Sequence, residues 1–429
     1  MSRRVFCVNP PGLPGTTANR EGAGGMGTVV PSAGGFLYPP HTLAVVANAL
    51  RESGTKVAAR DCVLERDAIP DAVAWVAAQQ PDFLVVQVSW ATRDADAAFL
   101  REARAAIPKS PVVAIGASVP MMEDCLQEVV GISWLRGEPE RLLGPVLKAL
   151  GMELTRWEGR LAVSALRDVD LPDERRLEGL SHPAWDLFSW RGYGMLTVVG
   201  SKGCDHDCAY CPYVVAQGRR FRPRPVGEVV EELIHLSRKF KPPRVVFRDP
   251  VFAHDRDRVL DLCREIGRRR VRIAWECESR ADDLDAEMVK RMAKAGCTAV
   301  KLGLESADPD VLVAVRRVRD GETPRTYLEH AMAASIACHQ HGIACRTFAM
   351  TGLPGETEQS IDGTIRFVAE MQAAALHAKP VDWYPGVRMD HRAEPAEAAA
   401  RARRINESWR PSPQPKPGLL TRIKRKVIR

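Results

Sequence analysis

The chain has 429 residues, of which 45% are hydrophobic and 27% are charged, and its formal net charge is +7. This length predicts at least two domains, and this composition excludes a largely disordered or collagen-like chain. The sequence contains neither a signal peptide nor an apolar run of about 18 residues, which predicts a cytoplasmic protein without a membrane span.

Basic residues are spread along the chain, so the net charge does not favour a nucleic-acid-binding protein. The exception is the segment "LLTRIKRKVIR" at residues 419–429. We expect a solvated terminal helix there. Contact of this segment with nucleic acid or an anionic membrane is the alternative.

Residues 1–150 alternate short β-rich runs with helical ones. The predicted strands lie in "RVFCVN", "KVAARDCV", "DFLVVQVSW", "PVVAIGAS" and "GISWL". This alternation is typical of βα units, and it predicts an α/β domain with a Rossmann-like open parallel sheet.

Loops at the carboxyl ends of such strands commonly bind ligands. Small residues in these loops let a backbone approach a bulky flat ligand or a phosphate. The candidate ligand-binding residues in the loops after four of these strands are Asn9, Pro10, Ser89, Trp90, Gly116, Gly137 and Glu138.

The second half repeats the alternation after a predicted linker at residues 151–194. Six βα units between residues 195 and 385 predict a curved, TIM-like partial (β/α)6 barrel. The last of its strands is expected in "AKPVDWYPG". Residues 386–429 are Ala-, Glu- and Arg-rich and then Pro-rich, which predicts a short helix followed by disorder.

Three cysteines lie close together in "SKGCDHDCAYCPY", at Cys204, Cys208 and Cys211. In a reducing compartment such spacing indicates a metal or redox site and not a disulfide framework. Three thiolates on one loop suit an iron–sulfur cluster with one iron left open for a small molecule. A zinc site with His206 as the fourth ligand is the alternative.

The remaining cysteines of this half are isolated in strand or helix patterns. We expect them to be small buried apolar side chains. They are Cys263, Cys277, Cys297, Cys338 and Cys345.

The spacing Cys-x-x-x-Cys-x-x-Cys resembles that of the radical S-adenosylmethionine (SAM) superfamily. The resemblance implies that the three cysteines hold a 4Fe-4S cluster and that its open iron binds the amino and carboxylate groups of SAM. Reduction of the cluster, by a donor such as flavodoxin or ferredoxin, would then split SAM into methionine and a 5′-deoxyadenosyl radical. Tyr210 would form a wall of the adenine site.

Other segments resemble family elements in the expected order. "VVFRDPVF" offers Asp249 near the methionine amino group, and "KLGLES" offers Glu305 and Ser306 near the ribose or carboxylate. "MTGLPGETE" resembles the turn where Gly352 and Leu353 meet adenine. An ordinary turn capping a helix at Glu356 or Thr357 is the alternative.

The segment "WECESR" places Glu276, Glu278 and Arg280 on one face of a strand, because side chains alternate with a period of two. Glu276 and Arg280 are therefore candidate catalytic residues. A salt-bridged structural trio is the alternative.

The first half resembles the cobalamin-binding domain of one radical SAM subgroup through "VNPPG", "YPPHTLAVVANALRESG", "VVQVSW", "AIGAS" and "RGEPE". The resemblance implies cobalamin as a second cofactor. The Asp-x-His-x-x-Gly motif of the mutase type is absent, and His41 is expected to be structural.

These resemblances imply a methyltransferase that methylates an unactivated carbon of a small molecule or peptide. A radical rearrangement, cyclisation or oxidation without methyl transfer is the alternative enzyme class. A non-catalytic iron–sulfur protein is the alternative outside enzymes.

Overall fold

The computed structural model describes residues 3–32, 36–143, 159–161, 177–389 and 393–410. Their contacts form two compact units. The first contains the described residues up to Asp205, together with Cys211–Val246 and Tyr384–Gly386. The second contains His206–Tyr210, Phe247–Trp383 and the described residues from Val387 onward. The four-part division expected from the sequence stays a prediction.

The strands, in chain order, are β1 (Arg4–Asn9), β2 (Thr16–Asn19), β3 (Thr28–Pro31), β4 (Lys56–Asp61), β5 (Phe83–Gln87), β6 (Val112–Ile115), β7 (Ser133–Leu135), β8 (Gly159–Leu161), β9 (Leu196–Val198), β10 (Ser201–Lys202), β11 (Arg222–Pro223), β12 (Val245–Phe247), β13 (Trp275–Arg280), β14 (Cys297–Glu305), β15 (Ala344–Thr351) and β16 (Ala375–Pro380).

The α-helices of the described residues are α1 (His41–Glu52), α2 (Ile69–Gln79), α3 (Arg93–Ala106), α4 (Val119–Gln127), α5 (Tyr213–Gln217), α6 (Val226–His235), α7 (Arg256–Arg268), α8 (Ala286–Lys294), α9 (Pro309–Ala314), α10 (Pro324–Gln340), α11 (Glu358–Glu370) and α12 (Pro395–Ser408).

The first sheet is parallel and has the order β4-β1-β5-β6-β7-β8. All residues of β5 and β6 are buried. Continuous apolar runs are typical of parallel strands that are covered on both faces. The strand order reverses between β1 and β5, and ligands bind at such switch points in open α/β sheets. The predicted Rossmann-like sheet is confirmed, with β8 added at its edge.

A two-stranded hairpin that the predicted strands do not include lies within residues 12–35, which are rich in glycine. β2 pairs antiparallel with β3. Each strand has only four residues. Four residues show too little alternation of apolar and polar side chains for a strand to be recognised in a glycine-rich segment.

The second sheet has the order β16-β15-β14-β13-β12-β9, which confirms the predicted six strands. The pairs β13–β14, β14–β15 and β15–β16 are parallel. The last strand begins at Ala375 and ends at Pro380. It therefore lies earlier than the expected "AKPVDWYPG", because the alternating run "ALHAK" forms the strand and Pro380 cannot donate to a continuing ladder.

The five isolated cysteines of the second half are buried as predicted: Cys263, Cys277, Cys297, Cys338 and Cys345. The helix predicted after residue 386 is α12. Asn406 on this helix accepts a hydrogen bond from the Ala378 amide and donates one to the Ala378 carbonyl, both at 2.9 Å. A side chain thus satisfies backbone groups of the edge strand β16.

The predicted disorder and the basic segment at residues 419–429 lie outside the described residues. Among the described helices, none combines the length and apolar character needed to cross a membrane.

Candidate functional site

The loop that carries the cysteines starts from a short hairpin in the first unit. β10 pairs antiparallel with β11, and the Cys204 amide donates to the Gly218 carbonyl at 3.2 Å. Gly203 has φ +75°, and a Cβ atom there would lie 2.0 Å from the Arg220 carbonyl oxygen. Only glycine fits this position. The backbone at Gly203 and Cys204 is therefore held against residues 218–220.

Glu138 anchors this hairpin to the loop after β7. Its carboxylate accepts two hydrogen bonds from Arg222, at 2.7 and 3.0 Å, and lies 3.6 Å from the Lys202 ammonium. Burial would raise the pKa of Glu138, but Lys202 and Arg222 outweigh it and lower the pKa to about 2. Glu138 was predicted to bind a ligand, and the structure places it in an ion-pair cluster.

Segment 22–27 connects the strand ends of the first sheet with α5, which follows Cys211. A Cβ atom on Gly27 would lie 2.2 Å from Ser89 Oγ, and one on Gly24 would lie 2.9 Å from the Tyr213 ring. Gln217 Nε2 donates to the Gly24 carbonyl at 3.2 Å. The glycines of this segment are thus required by close packing.

Asn9 and Pro10, at the end of β1, are held by a buried arginine. Arg20 donates to Asn9 Oδ1 at 3.1 Å and to the Pro10 carbonyl at 2.6 Å. Its guanidinium also pairs with Asp96, and both of these side chains are at most 1% exposed. Arg20 was not predicted, because one arginine in a glycine-rich loop carries no recognisable pattern.

Ser89 and Trp90 follow β5. The Ser89 amide donates to Asp96 Oδ2 at 2.9 Å, and the Trp90 amide donates to Ser118 Oγ at 3.0 Å. The Arg93 guanidinium stacks 4.5 Å from the centre of the Trp90 ring. These contacts fix the backbone and leave a flat, partly exposed indole at the strand end.

Gly116 and Gly137 also stand at strand ends. A Cβ atom on Gly116 would lie 2.3 Å from the Val88 carbonyl oxygen, and one on Gly137 would lie 2.7 Å from Leu142 Cδ1. Both glycines are therefore explained by packing within the sheet domain.

His41 is buried at the start of α1. Its Nδ1 lies 3.1 Å from Thr197 Oγ1, and its ring lies 6.1 Å from the ring of Trp185. This environment agrees with the structural role expected for His41.

In the second unit, two arginines reach the sulfur of Cys208. Arg280 Nη1 donates to Cys208 Sγ at 3.4 Å, and Arg317 Nη1 donates to it at 3.7 Å. Arg280 comes from the end of β13, and Arg317 follows α9. Two guanidinium groups from different parts of the second unit therefore meet at this sulfur.

The two arginines differ in how their charges are balanced. Arg280 forms a bidentate pair with Asp282, at 2.9 and 2.7 Å. Arg317 instead donates to the Tyr327 hydroxyl at 2.9 Å and to the Gly303 carbonyl, and its nearest carboxylate among the described residues, Glu305, is 4.0 Å away. The Arg317 side chain is only 7% exposed, so its buried charge is costly without a closer anion.

His206 lies in a different ion-pair cluster. Its Nε2 is 4.0 Å from Asp283 and 3.5 Å from Arg319 Nη2, and its ring packs on His254 at 5.5 Å. Burial and the nearby Arg280 lower the pKa of His206 to about 3. The Arg319 guanidinium also contacts Asp283 and lies 3.1 Å from Asp282, so this cluster contains charges of both signs.

The acidic residues of β13 pair with other strands and not with Arg280. Glu276 accepts from Arg346 at 2.9 Å, and Glu278 accepts from Lys301 at 3.0 Å and Arg248 at 3.2 Å. Burial would raise the pKa of Glu278, but Lys301 and Arg248 outweigh it and lower the pKa to about 2.

Four of the predicted SAM-binding residues, Tyr210, Asp249, Glu305 and Ser306, belong to the second unit. Glu305 ends β14 with φ +71°, a strained conformation for a non-glycine residue, and it faces Arg317. Ser306 is buried, and its hydroxyl accepts from the Asp308 amide at 3.1 Å. Asp249 is fully buried after β12, and Tyr210 is buried next to Arg317.

The turn at Gly352 and Leu353 is shaped by α12 and α11. A Cβ atom on Gly352 would lie 2.8 Å from the Ala398 Cβ, and its amide donates to Glu356 Oε1 at 3.0 Å. Leu353 is buried. Thr357 caps α11 with a capping box, so the alternative interpretation as a helix-capping turn also describes the geometry.

The structure thus brings together Cys208, Arg280 and Glu305 around Arg317, which sequence reasoning missed. Arg317 follows the run "VLVAV" and the exposed Arg316, and nothing in the pair "RR" marks its second arginine as the buried one. Glu276, Ser306 and Gly352 are each engaged in other contacts.

Residues 198–368 match the radical SAM superfamily. The uncharacterized methyltransferase PH0819 from Pyrococcus horikoshii is 26% identical over 278 residues, which cover 62% of this chain and 57% of that protein. The chain therefore matches little more than half the length of this relative.

Two solved structures share the fold. The radical SAM methyltransferase TsrM from Kitasatospora setae, with cobalamin and a 4Fe-4S cluster bound, has a TM-score of 0.71 at 20% identity, covering 91% of this chain and 77% of that one. The cobalamin-dependent radical SAM enzyme OxsB, with aqua-cobalamin and SAM bound, has a TM-score of 0.64 at 18% identity, covering 90% and 54%.

These matches define the class of one region. Residues 198–368, which contain Cys204, Cys208 and Cys211, are similar to the radical SAM superfamily. The fold of the chain is similar to the folds of TsrM and OxsB, as the sequence resemblance implied.

Replacing Gly24 should disturb the cysteine loop. Gly24→Ala places a methyl group against the Tyr213 ring, two residues after Cys211, so we expect reduced iron incorporation on anaerobic reconstitution. Gly15→Ala is the matched control, since Gly15 has φ +74° but no atom within 4 Å of the added Cβ. Both variants should lose about 1 kcal/mol to backbone strain. Equal iron contents in the two variants would contradict the role of this contact.

Replacing Glu278 should give a pH-dependent loss of stability. The pKa of Glu278 is about 2 in the folded chain, against 4.5 ordinarily, so its stabilisation is complete above pH 4.5 and is lost as the pH falls toward 2. The unfolding free energy lost in Glu278→Gln should therefore shrink by about 1 kcal/mol between pH 7 and pH 4.

Denaturant unfolding at both pH values measures this difference. Glu329→Gln, at an exposed pair with Arg325, serves as the control and should show no such trend. A pH-independent loss in Glu278→Gln would argue against the ion pairs as its cause.

Proposed function

We propose that the protein is a cobalamin-dependent radical SAM enzyme that methylates an unactivated carbon of its substrate. The observation that carries the proposal is the pair of buried guanidinium groups that donate to Cys208 Sγ. A neutral thiol would leave the Arg317 charge poorly compensated, whereas the thiolate ligand of a cluster compensates it.

The residues present fit a 4Fe-4S cluster. Cys204, Cys208 and Cys211 would be its ligands, and three thiolates leave one iron open. We assign Arg280 and Arg317 to holding the Cys208 sulfur by hydrogen bonds. Arg280 would thus act on the cluster and not directly on the substrate.

We place SAM at the carboxyl ends of the strands of the second unit. Glu305, with its strained backbone beside Arg317, is the best polar candidate for its ribose or amino group. Tyr210, Ser306, Gly352 and Leu353 remain candidates for adenine and ribose, with Asp249 as a buried support. A reduced flavodoxin or ferredoxin would serve as the electron donor.

The cobalamin site would lie at the carboxyl edge of the first sheet, at the switch point between β1 and β5. Trp90 offers a flat surface there, and His41 is held by Thr197, so cobalt would have no histidine ligand from it. When bound, the cluster with SAM supplies a radical that removes a hydrogen atom, and methylcobalamin supplies the methyl group.

Radical rearrangement, cyclisation or oxidation without methyl transfer is the second candidate. The specific observation that favours it is the close packing of segment 22–27 on the strand ends, where Gly25 approaches Ala117 and Gly27 approaches Ser89. If this packing excludes cobalamin, only the radical chemistry remains.

Anaerobic reconstitution separates the two candidates without knowledge of the substrate. The methyltransferase should bind about four irons and about one cobalt per chain, and should convert SAM to S-adenosylhomocysteine when its cobalamin is reduced. It should also form 5′-deoxyadenosine under reduction. Cobalt-free protein that still forms 5′-deoxyadenosine would favour the second candidate. Cys208→Ala should lose the cluster, whereas the buried Cys263→Ala should keep it.

Replacing Arg317 should lower the reduction potential of the cluster. Removing a buried positive charge beside a sulfur ligand disfavours the added electron, so Arg317→Gln should shift the midpoint potential negatively by about 60 mV or more. A redox titration followed by electron paramagnetic resonance measures the shift.

Two variants serve as controls for this titration. Arg317→Lys keeps the charge and should recover part of the potential. Arg316→Gln removes an exposed neighbour that pairs with Asp207, and solvent should screen its effect. Equal potentials in Arg317→Gln and Arg316→Gln would contradict the assigned role.

A further inference from the structure

One face of the second sheet carries partly exposed charged side chains. On β14, β15 and β16 the burial alternates, and Lys301, Arg346, Phe348, His377 and Lys379 fall at the more exposed positions. The register pairs Lys301 with Arg346 and Phe348 with His377. These five residues therefore share one face, which we call the inner face.

The charge on the inner face is uneven. β15 and β16 contain no acidic residue, and their charged side chains are Arg346 and Lys379. The carboxylates that pair with this face come from β13, where Glu276 binds Arg346 and Glu278 binds Lys301. The Lys379 ammonium forms no salt bridge or hydrogen bond within the part of the chain that the structure describes.

Two neighbouring groups respond to this excess of positive charge. Burial and the cations Arg346 and Lys301 lower the pKa of His377. Lys379 is among the cations that lower the pKa of Glu278, behind Lys301 and Arg248. Both shifts have the sign that a positive potential produces.

An aromatic surface lies beside the cations. The Phe348 ring is 5.4 Å from the His377 ring, with an angle of 36° between their planes. Both side chains are accessible, with His377 exposed and Phe348 partly exposed. A ring of a ligand can therefore pack next to Lys379.

Lys379 also lies at the functional end of the sheet. It is the second-to-last residue of β16, and Arg280 and Glu305 stand at the carboxyl ends of β13 and β14. Active sites of parallel barrels form at the carboxyl ends of their strands.

We propose that the inner face binds an anionic group of the substrate, a carboxylate or a phosphoryl group, with Lys379 as its cation and Phe348 beside an adjoining ring. The inference rests on the proposed function, because it takes the second sheet as the substrate-binding half of a radical SAM enzyme. It narrows the substrate class to anionic molecules or residues.

Small probes test this inference on the full-length, cluster-reconstituted protein. Phenylacetate and phenylphosphonate carry a ring and an anion, and phenylacetamide is the neutral counterpart of phenylacetate. By calorimetry the two anions should bind with millimolar or better affinity, and phenylacetamide should bind at least about tenfold more weakly. Equal binding of phenylacetate and phenylacetamide, or no saturable binding of either anion, would overturn the inference.

Lys379→Met should weaken both anions about tenfold or more and leave phenylacetamide unchanged. Lys379 is exposed, so this variant should fold. Lys379→Arg should retain binding. Lys294→Met, which removes an exposed lysine from α8, is the matched control and should behave as the wild type. Unchanged anion binding in Lys379→Met would also refute the inference.

The carboxylate of SAM is also an anion that Lys379 could bind. A comparison of SAM with decarboxylated SAM distinguishes the cofactor from the substrate as the source of the anion. SAM and decarboxylated SAM should each bind Lys379→Met as they bind the wild type. If the variant loses affinity for SAM and not for decarboxylated SAM, Lys379 serves the cofactor and the inference fails.

Failure of the proposed function would be seen in the reaction products and not in the binding of the probes. Reduced wild type that forms neither 5′-deoxyadenosine nor S-adenosylhomocysteine would reject the enzyme assignment. The probe affinities, which need no turnover, would still decide whether the anion site exists.

Discussion

The hydrogen bond from Arg317 to Cys208 is the contact around which the second unit is organised. A guanidinium that is 7% exposed needs every donor satisfied and its charge offset. Gly303 at the end of β14 and Tyr327 on α10 each supply an oxygen acceptor, and Cys208 supplies the sulfur. The strand end, the helix and the cysteine loop are therefore positioned by one side chain.

In the first unit, the segments around the cysteine loop are positioned by close packing at glycine residues. Gly203, Gly24 and Gly27 each allow another group to approach within distances that a Cβ atom would forbid. The ion pairs of Glu138 with Arg222 and Lys202 then hold the hairpin before Cys204. Steric contacts fix positions more sharply than exposed ion pairs do, so glycine is suited to a loop that must present thiolates at fixed points.

The sequence was sufficient for features that depend on periodicity. Continuous apolar runs such as "FLVV" and "VVAI" located the strands of the first sheet, and the cysteine spacing pointed to the loop that carries Cys204, Cys208 and Cys211. It was insufficient for Arg317 and Arg20, because a buried arginine is defined by partners that are far away in sequence. The start of β16 was also misplaced, since six residues give little alternation to distinguish from the following "VDWYPG".

In the second sheet, the pairing of cations with carboxylates becomes less complete toward the carboxyl ends of the strands. The pair of Glu276 and Arg346 joins β13 to β15, and Glu278 with Lys301 joins β13 to β14. At the carboxyl end the pairing is less complete. Arg280 keeps Asp282 as a partner, but Arg317 has its nearest carboxylate at 4.0 Å, and the Lys379 ammonium has no ion pair among the described residues. Carboxylates of β13 thus neutralise Arg346 and Lys301 within the sheet. Cations remain available where cofactor and substrate anions would bind, and this distribution is the physical basis for placing the chemistry at that end.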